Sequence, residues 1–436
     1  MSFDQAAALT VLAAVMAALI WNRVRSDVVA LAGAAALLGL GVIRPVEVQG
    51  AFASPALIAL ASLFVIAYAM ELSGLLDALI RLAIRLCRRL GAAGLWIVIL
   101  LCGAASAFLN NTPIVVLAAP VVRDVSASMK LPPQRFLIPL SYVTILGGSC
   151  TLIGTSTNLL VNDMARSAGQ PAFNLFDITP VGLIIAAVGG LYLMLVAPRL
   201  LRGRPEAADV SYAQAVEHAA ESGDDSVGDT SLFVPSRPLD LRRGLAALGV
   251  FVAVVVVAAL GYAPIAAAAF TGAVALILTR VISADEAYKG LRPEILLLIA
   301  GMVVIGLSLE VSGLAAAATD GMIALVQGLG PLLALVLLYG LTLFLTEILS
   351  NAAVAVLLTP VAVALAESLG VSPRPFLVGV MMAASAAFAT PFGYQTNVLV
   401  YEVGRYRYMD FVRVGLPLNL ITWAVAALAI PAYFPF

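Results

Sequence analysis

A single histidine, His218, serves all 436 residues. A Ser-His-Asp triad or a His-ligated metal centre has nothing to build on. The three cysteines, Cys87, Cys102 and Cys150, sit in or beside apolar segments. They fit neither a metal-ligand spacing nor a disulfide framework. Charge is scarce as well: 11% of residues are Asp, Glu, Lys or Arg, against about 25% in soluble domains. The formal net charge of -1 offers nucleic acid little to hold. No paired aspartates and no Ser/Lys couple accompany the motifs below, so the chain does not read as an intramembrane enzyme. MSFDQ has an acid and no base before the first apolar run, the wrong start for a secretory signal. That run reads as a retained membrane helix.

Apolar side chains fill the space that charge leaves: 62% of residues are hydrophobic. Lipid must be the solvent for most of them. Runs long enough to span lie near 5–21, 28–44, 54–71, 135–150, 178–198, 244–260, 263–281, 293–310, 375–391 and 413–433. Two more, near 93–122 and 331–362, are interrupted by FLNNTPIVV and LSNAAVAVLL. Asparagine is costly in hydrocarbon unless its amide is satisfied. These two runs therefore read as hairpins that enter the membrane and return on the same side, with irregular backbone sheltered by protein or a wet cavity. Between them, 203–240 is acidic and rich in Ala, Ser and Gly, and reads as a flexible linker. With this layout all but Arg44, Arg166 and Arg374 of the 24 basic residues fall on one side. The positive-inside rule makes that side cytoplasmic, with both termini outside.

The halves repeat. MELSGLL at Met70 matches LEVSGLA at Leu309, and Asn111, Pro120, Pro133 and Phe136 match Asn351, Pro360, Pro373 and Phe376. TLIGTSTNLLV at Thr151 matches TPFGYQTNVLV at Thr390, and Asp177 and Gly182 match Asp410 and Gly415. Each half holds five crossings and one hairpin, so an odd crossing number inverts the second copy. The chain is expected to be an all-α polytopic membrane protein: first repeat 1–202, linker 203–240, second repeat 241–436. Inverted repeats belong to secondary transporters, with the site at the midplane between copies. A broken helix exposes N–H groups that hold an anion and carbonyls that hold a small cation. Asn, Thr and Ser supply both donors and acceptors. TLIGTSTN (151–158) and TPFGYQTN (390–397) read as unwound segments facing the hairpin tips. Interhelical glue is the alternative for any one of these groups.

NNTP with TLIGTSTNLLV, then LTEILSNAAV with TPFGYQTNVLVY and YMDFVRVGLPL, resemble the divalent anion:sodium symporter family, the SLC13-type permeases, over roughly 28–436. The resemblance implies a homodimeric elevator transporter with two sodium sites and a dianion between them. The first sodium would use Ser106, Asn110, Asn111 and the Gly154 carbonyl. The second would use Thr346, the Leu349 carbonyl, Asn351 and backbone near Gly393. The substrate would meet Asn111, Thr112, Thr155, Ser156, Thr157, Asn158, Ser350, Asn351, Tyr394, Gln395, Thr396 and Asn397. Asn110 and Ala352 depart from the family's tip pattern, and Tyr394 and Gln395 are bulkier than the matched Thr155 and Ser156. These differences favour a sulfate-like oxyanion over a dicarboxylate. The expectation is sodium-coupled symport in a bacterial-type inner membrane. Protons are the other candidate coupling ion, and an ion antiporter or arsenite-type efflux permease is the alternative function. Small anion, lipid and a second copy of the chain are the expected partners. Glu347 is either a cation or proton site or a carboxylate bonded to nearby backbone. Glu71 and Glu310 read as structural or interfacial. Arg81, Arg85, Arg88 and Arg89 read as an interfacial helix meeting lipid phosphate.

Overall fold

The computed structural model describes residues 2–21, 24–76, 78–79, 82, 90–201, 239–291, 293–314, 330–391 and 393–436. All regular structure among them is helical. The acidic linker, except Leu239 and Asp240, lies outside the described residues, as do Arg81, Arg85, Arg88 and Arg89. Many large apolar side chains face outward, among them Leu101, Leu183, Leu245, Phe270 and Phe344. Water would penalise such a surface; hydrocarbon does not. Among the described residues five helices are long and apolar enough to cross a membrane.

Each interrupted run forms a helical hairpin, with arms Ala92–Ser106 and Asn111–Ser128 in the first, and Pro331–Thr346 and Asn351–Ser368 in the second. The Asn110 side chain caps the first return arm by accepting from the Thr112 N–H at 3.4 Å. Ser350 caps the second by accepting from the Ala353 N–H at 3.3 Å. Polar residues at the tips thus have a local cause: the return helix starts where no water is at hand for its first N–H groups.

Two helices break in the middle. Gln134–Gly148 ends, an irregular stretch follows, and Ser156–Ser167 resumes; Arg374–Ala384 and Gln395–Gly404 repeat the arrangement. The first piece, 15 residues, is roughly 22 Å long at 1.5 Å per residue, short of a ~30 Å hydrocarbon core. The first piece alone is too short to cross. The apolar run expected at 375–391 is therefore helical only to Ala384. The reason is chemical: the N–H groups of Phe388, Ala389 and Thr390 bond to the Glu347 carboxylate, not to carbonyls one turn earlier. The last helix starts earlier than expected, at Tyr408, because Asp410 accepts from the Arg407 N–H at 2.8 Å and caps it. The run at 28–44 is helical only over Ser26–Gly39, since Gly41 turns the chain at φ 75°.

Partners are exchanged between halves. Ser26–Gly39 packs on Pro293–Val311, and Ile265–Leu278 packs on Pro55–Leu72. Asn111–Ser128 packs on Gln395–Gly404, and Asn351–Ser368 packs on Ser156–Ser167. Thr179–Leu195 lies against Tyr408–Tyr433. Each hairpin's return arm is thereby laid along the broken helix of the other half.

Candidate functional site

At the first tip the Ser106 hydroxyl donates to Asn111 Oδ1. The Thr151 hydroxyl reaches from the unwound stretch to the Ala107 carbonyl and accepts from the Gly154 N–H at 3.1 Å. Glycine is required here. A Cβ on Gly148 would lie 2.6 Å from Asn111 Oδ1, and one on Gly154 would lie 2.3 Å from the Gly148 carbonyl and 2.8 Å from that of Ala107. The oxygens of Ser106, Asn111, Ala107 and Gly148 therefore crowd together, with the Gly154 carbonyl beside them. Such a set suits a small hard cation.

The second tip is built alike. Thr346 Oγ1 lies 2.7 Å from both Asn351 Oδ1 and the Ala384 carbonyl. The Thr390 hydroxyl donates to the Glu347 carbonyl at 3.3 Å and accepts from the Gly393 N–H at 3.1 Å. One difference stands out. Glu347 occupies the place of Ala107, and its carboxylate accepts from the N–H groups of Phe388, Ala389 and Thr390 at 2.9, 2.7 and 2.8 Å. It also accepts from Asn419 Nδ2 at 2.7 Å. Of the two readings open for Glu347, the geometry matches a backbone-bonded carboxylate.

The halves touch at the first tip. Asn111 Nδ2 donates to the Tyr394 hydroxyl at 2.7 Å, and the Thr112 hydroxyl donates to Gln395 Oε1 at 3.2 Å. Asn111, Thr112, Tyr394 and Gln395 are buried, as is Asn351. Thr155 is half committed, accepting from the Thr157 N–H at 3.4 Å, and Ser156 starts the helix beside it. Other expected residues point elsewhere. Asn158 spends its amide on the Thr151 carbonyl at 3.0 Å, and Asn397 on those of Ala387 and Thr390 at 2.8 and 3.4 Å. Thr396 and Asn397 take the Ser141 hydroxyl, 2.7 Å from each. Thr157 is buried in its helix. These residues brace the unwound stretches. Leu349 is buried in the second turn, and the Ser350 hydroxyl serves its cap. Asn110 is not gathered with Ser106 and Asn111: it lines a separate apolar cavity of about 260 Å³ with Phe64, Phe108 and Phe251.

Sequence reading passed over Asn419 and Asp163. Asp163 is buried, with the Ser54 hydroxyl against its carboxylate. For Asn419 the available signal was an amide inside an apolar helix; Asp163 lies in the polar helix Ser156–Ser167 and carried no such signal. Among the described residues no Lys or Arg contributes to either tip cluster, and there is no group of three or more His, Cys, Asp or Glu able to hold a metal.

The citrate transporter family profile matches residues 16–370 and 353–436. The uncharacterized transporter sll0640 of Synechocystis is 26% identical over 95% of this chain and 94% of its own length. Sodium/sulfate cotransporter 1 of Chlamydomonas reinhardtii is 34% identical, over 35% of this chain and 17% of its own. Among solved structures, the YdaH transporter of Alcanivorax borkumensis shares the fold, with a TM-score of 0.62 and 16% identity over 89% of this chain and 86% of that one. A family profile covering nearly the whole chain, on an all-helical lipid-facing fold, marks an integral membrane transporter and not an enzyme: the chain belongs to the citrate transporter family, among the SLC13-type permeases of the ion transporter superfamily.

Proposed function

We propose that this protein is a sodium-coupled symporter of a small divalent oxyanion. The observation that carries the reading is the pair of buried oxygen clusters, Ser106–Asn111 and Thr346–Asn351, each closed by its own unwound stretch. With no fixed base at hand, an anion is held by amides, hydroxyls, helix ends and bound cations. Substrate affinity then depends on sodium, which is the coupling that symport needs. The two matched hydrogen-bond sets and the exchanged packing support two inverted repeats, 1–202 and 241–436, with both hairpins re-entrant. The family resemblance adds an elevator motion and a homodimer. The charge bias supports outside termini and a cytoplasmic 203–240 linker in a bacterial-type inner membrane.

The family bears citrate in its name, and a partial relative is named a sodium/sulfate cotransporter. Sulfate is favoured because Tyr394 and Gln395 reach across onto Asn111 and Thr112 and narrow one side of the pocket. The test is uptake of labelled sulfate, succinate and citrate into proteoliposomes, with and without an inward sodium gradient. Sodium-driven sulfate uptake is expected. Uptake indifferent to sodium removes the coupling, and efflux driven by a proton gradient favours the antiporter or arsenite-type permease.

A further inference from the structure

Where the first pieces of both broken helices end, a small void remains. Ser149 follows Gln134–Gly148, and Ser385 follows Arg374–Ala384. Both line a void of about 10 Å³, together with Tyr339 of the second hairpin and Thr422 of the last helix. That is the size of one water molecule. All four residues are at least nine-tenths buried, so bulk solvent cannot serve them.

The hydrogen-bond ledger of the four hydroxyls is uneven. Ser149 Oγ donates to the Leu146 carbonyl at 2.7 Å, and Thr422 Oγ1 donates to the Asn419 carbonyl at 3.0 Å. Their protons are committed, and each oxygen keeps room to accept. Ser385 Oγ has no hydrogen-bond partner within the described protein, and the Tyr339 hydroxyl has none at good geometry, only a looser approach to the Thr422 side chain. Two donors without acceptors and two acceptors without donors surround one hole. A bare cation would take the lone pairs and leave two O–H groups unmet. A water accepts from Tyr339 and Ser385, donates to Ser149 and Thr422, and closes all four accounts at the coordination usual for buried water.

We propose that this void is a binding site for one structural water, which ties the ends of both broken helices to the second hairpin and the last helix. It links the two unwound stretches, and through Thr422 it lies one turn from Asn419, the residue that holds Glu347. The proposal is independent of which ion or anion is carried.

The test is a mutant cycle on purified full-length protein. Ser385→Ala and Tyr339→Phe each remove one hydroxyl, and each is expected to lower the melting temperature by about 1–3 °C. The double variant is expected to lose clearly less than the sum, because the first substitution already loosens the shared water. The shifts are expected to be equal in sodium and in choline buffer. A high-resolution map is expected to show one solvent peak within hydrogen-bond distance of Ser385 Oγ, lost in Ser385→Ala. Additive single effects overturn the proposal. So does coupling of Tyr339 to Thr422 alone, which means a direct bond over a dry void. A sodium-dependent difference at these positions also overturns it, replacing the water with a cation.

Discussion

Replacing Glu347 by Gln separates the two roles that a membrane carboxylate can have. Its oxygens accept four hydrogen bonds: Oε1 takes three, from the Phe388 and Ala389 N–H groups and Asn419 Nδ2, and Oε2 takes one, from the Thr390 N–H. Glutamine keeps an acceptor on the side that Phe388, Ala389 and Asn419 share, but turns its NH₂ toward the Thr390 N–H. One charge-assisted bond, worth about 1.5–3 kcal/mol, is lost, and three fall toward the ~0.5–1.5 kcal/mol of neutral bonds. These losses add to about 4.5–7.5 kcal/mol before neighbours relax, and relaxation lowers the figure that a melt would read. Glu347→Ala goes further and leaves buried N–H groups unmet at about 1–3 kcal/mol each. Expected in a detergent melt is the order wild type, Gln, Ala, with Glu347→Gln lower by several degrees. Sodium-driven uptake falls in the same order, since the stretch that Glu347 holds forms the wall of the second oxygen cluster. A Gln variant that melts like wild type yet loses all uptake refutes the reasoning, and makes the carboxylate a proton or cation site.

Other substitutions test the remaining parts. Asn111→Ala and Asn351→Ala are each expected to abolish sodium-driven uptake while membrane insertion, read by protease protection of epitope tags, stays normal. Gly148→Ala is expected to cut uptake at least tenfold, because its new methyl would press to 2.6 Å from Asn111 Oδ1; sodium dose–response curves read the damage. Tyr394→Thr with Gln395→Ser copies the matched Thr155–Ser156, and is expected to raise succinate uptake relative to sulfate in competition assays.

Much of the architecture was legible because lipid imposes a coarse grammar. Apolar length and the paired Asn motifs point to a helical membrane transporter, and the helical fold and the family match agree. Helix ends were less legible. The run at 375–391 is apolar but for Ser385 and Thr390, and hydropathy carries no sign that Glu347, some forty positions earlier, takes its N–H groups. Likewise the polar residues of TLIGTSTN and TPFGYQTN divide their work in a way that composition hides. Thr151 and Thr390 meet the hairpin turns, while Asn158 and Asn397 fold back as braces. Asn110 and Asn111 are neighbours in sequence, yet a cap geometry turns the first out of the cluster and the second into it. Such choices follow from where the helix starts and have no compositional trace.

The halves are alike in hydrogen bonding and unlike in charge. At the first tip Ala107 offers only a carbonyl to Thr151. At the second, the matched Glu347 adds a carboxylate whose Oε2 would be 3.3 Å from a Cβ on Gly393. A negative charge so close to one oxygen cluster favours a cation there by Coulomb attraction that burial screens weakly. Under the sodium-coupled reading the two clusters therefore differ in cation affinity, the second holding its ion more tightly. The carboxylate's hydrogen bonds to three backbone N–H groups spread that charge over the unwound stretch, so the same residue that shapes the site also sets its polarity. The difference between Ala107 and Glu347 alone is enough to make the two oxygen clusters unequal in charge.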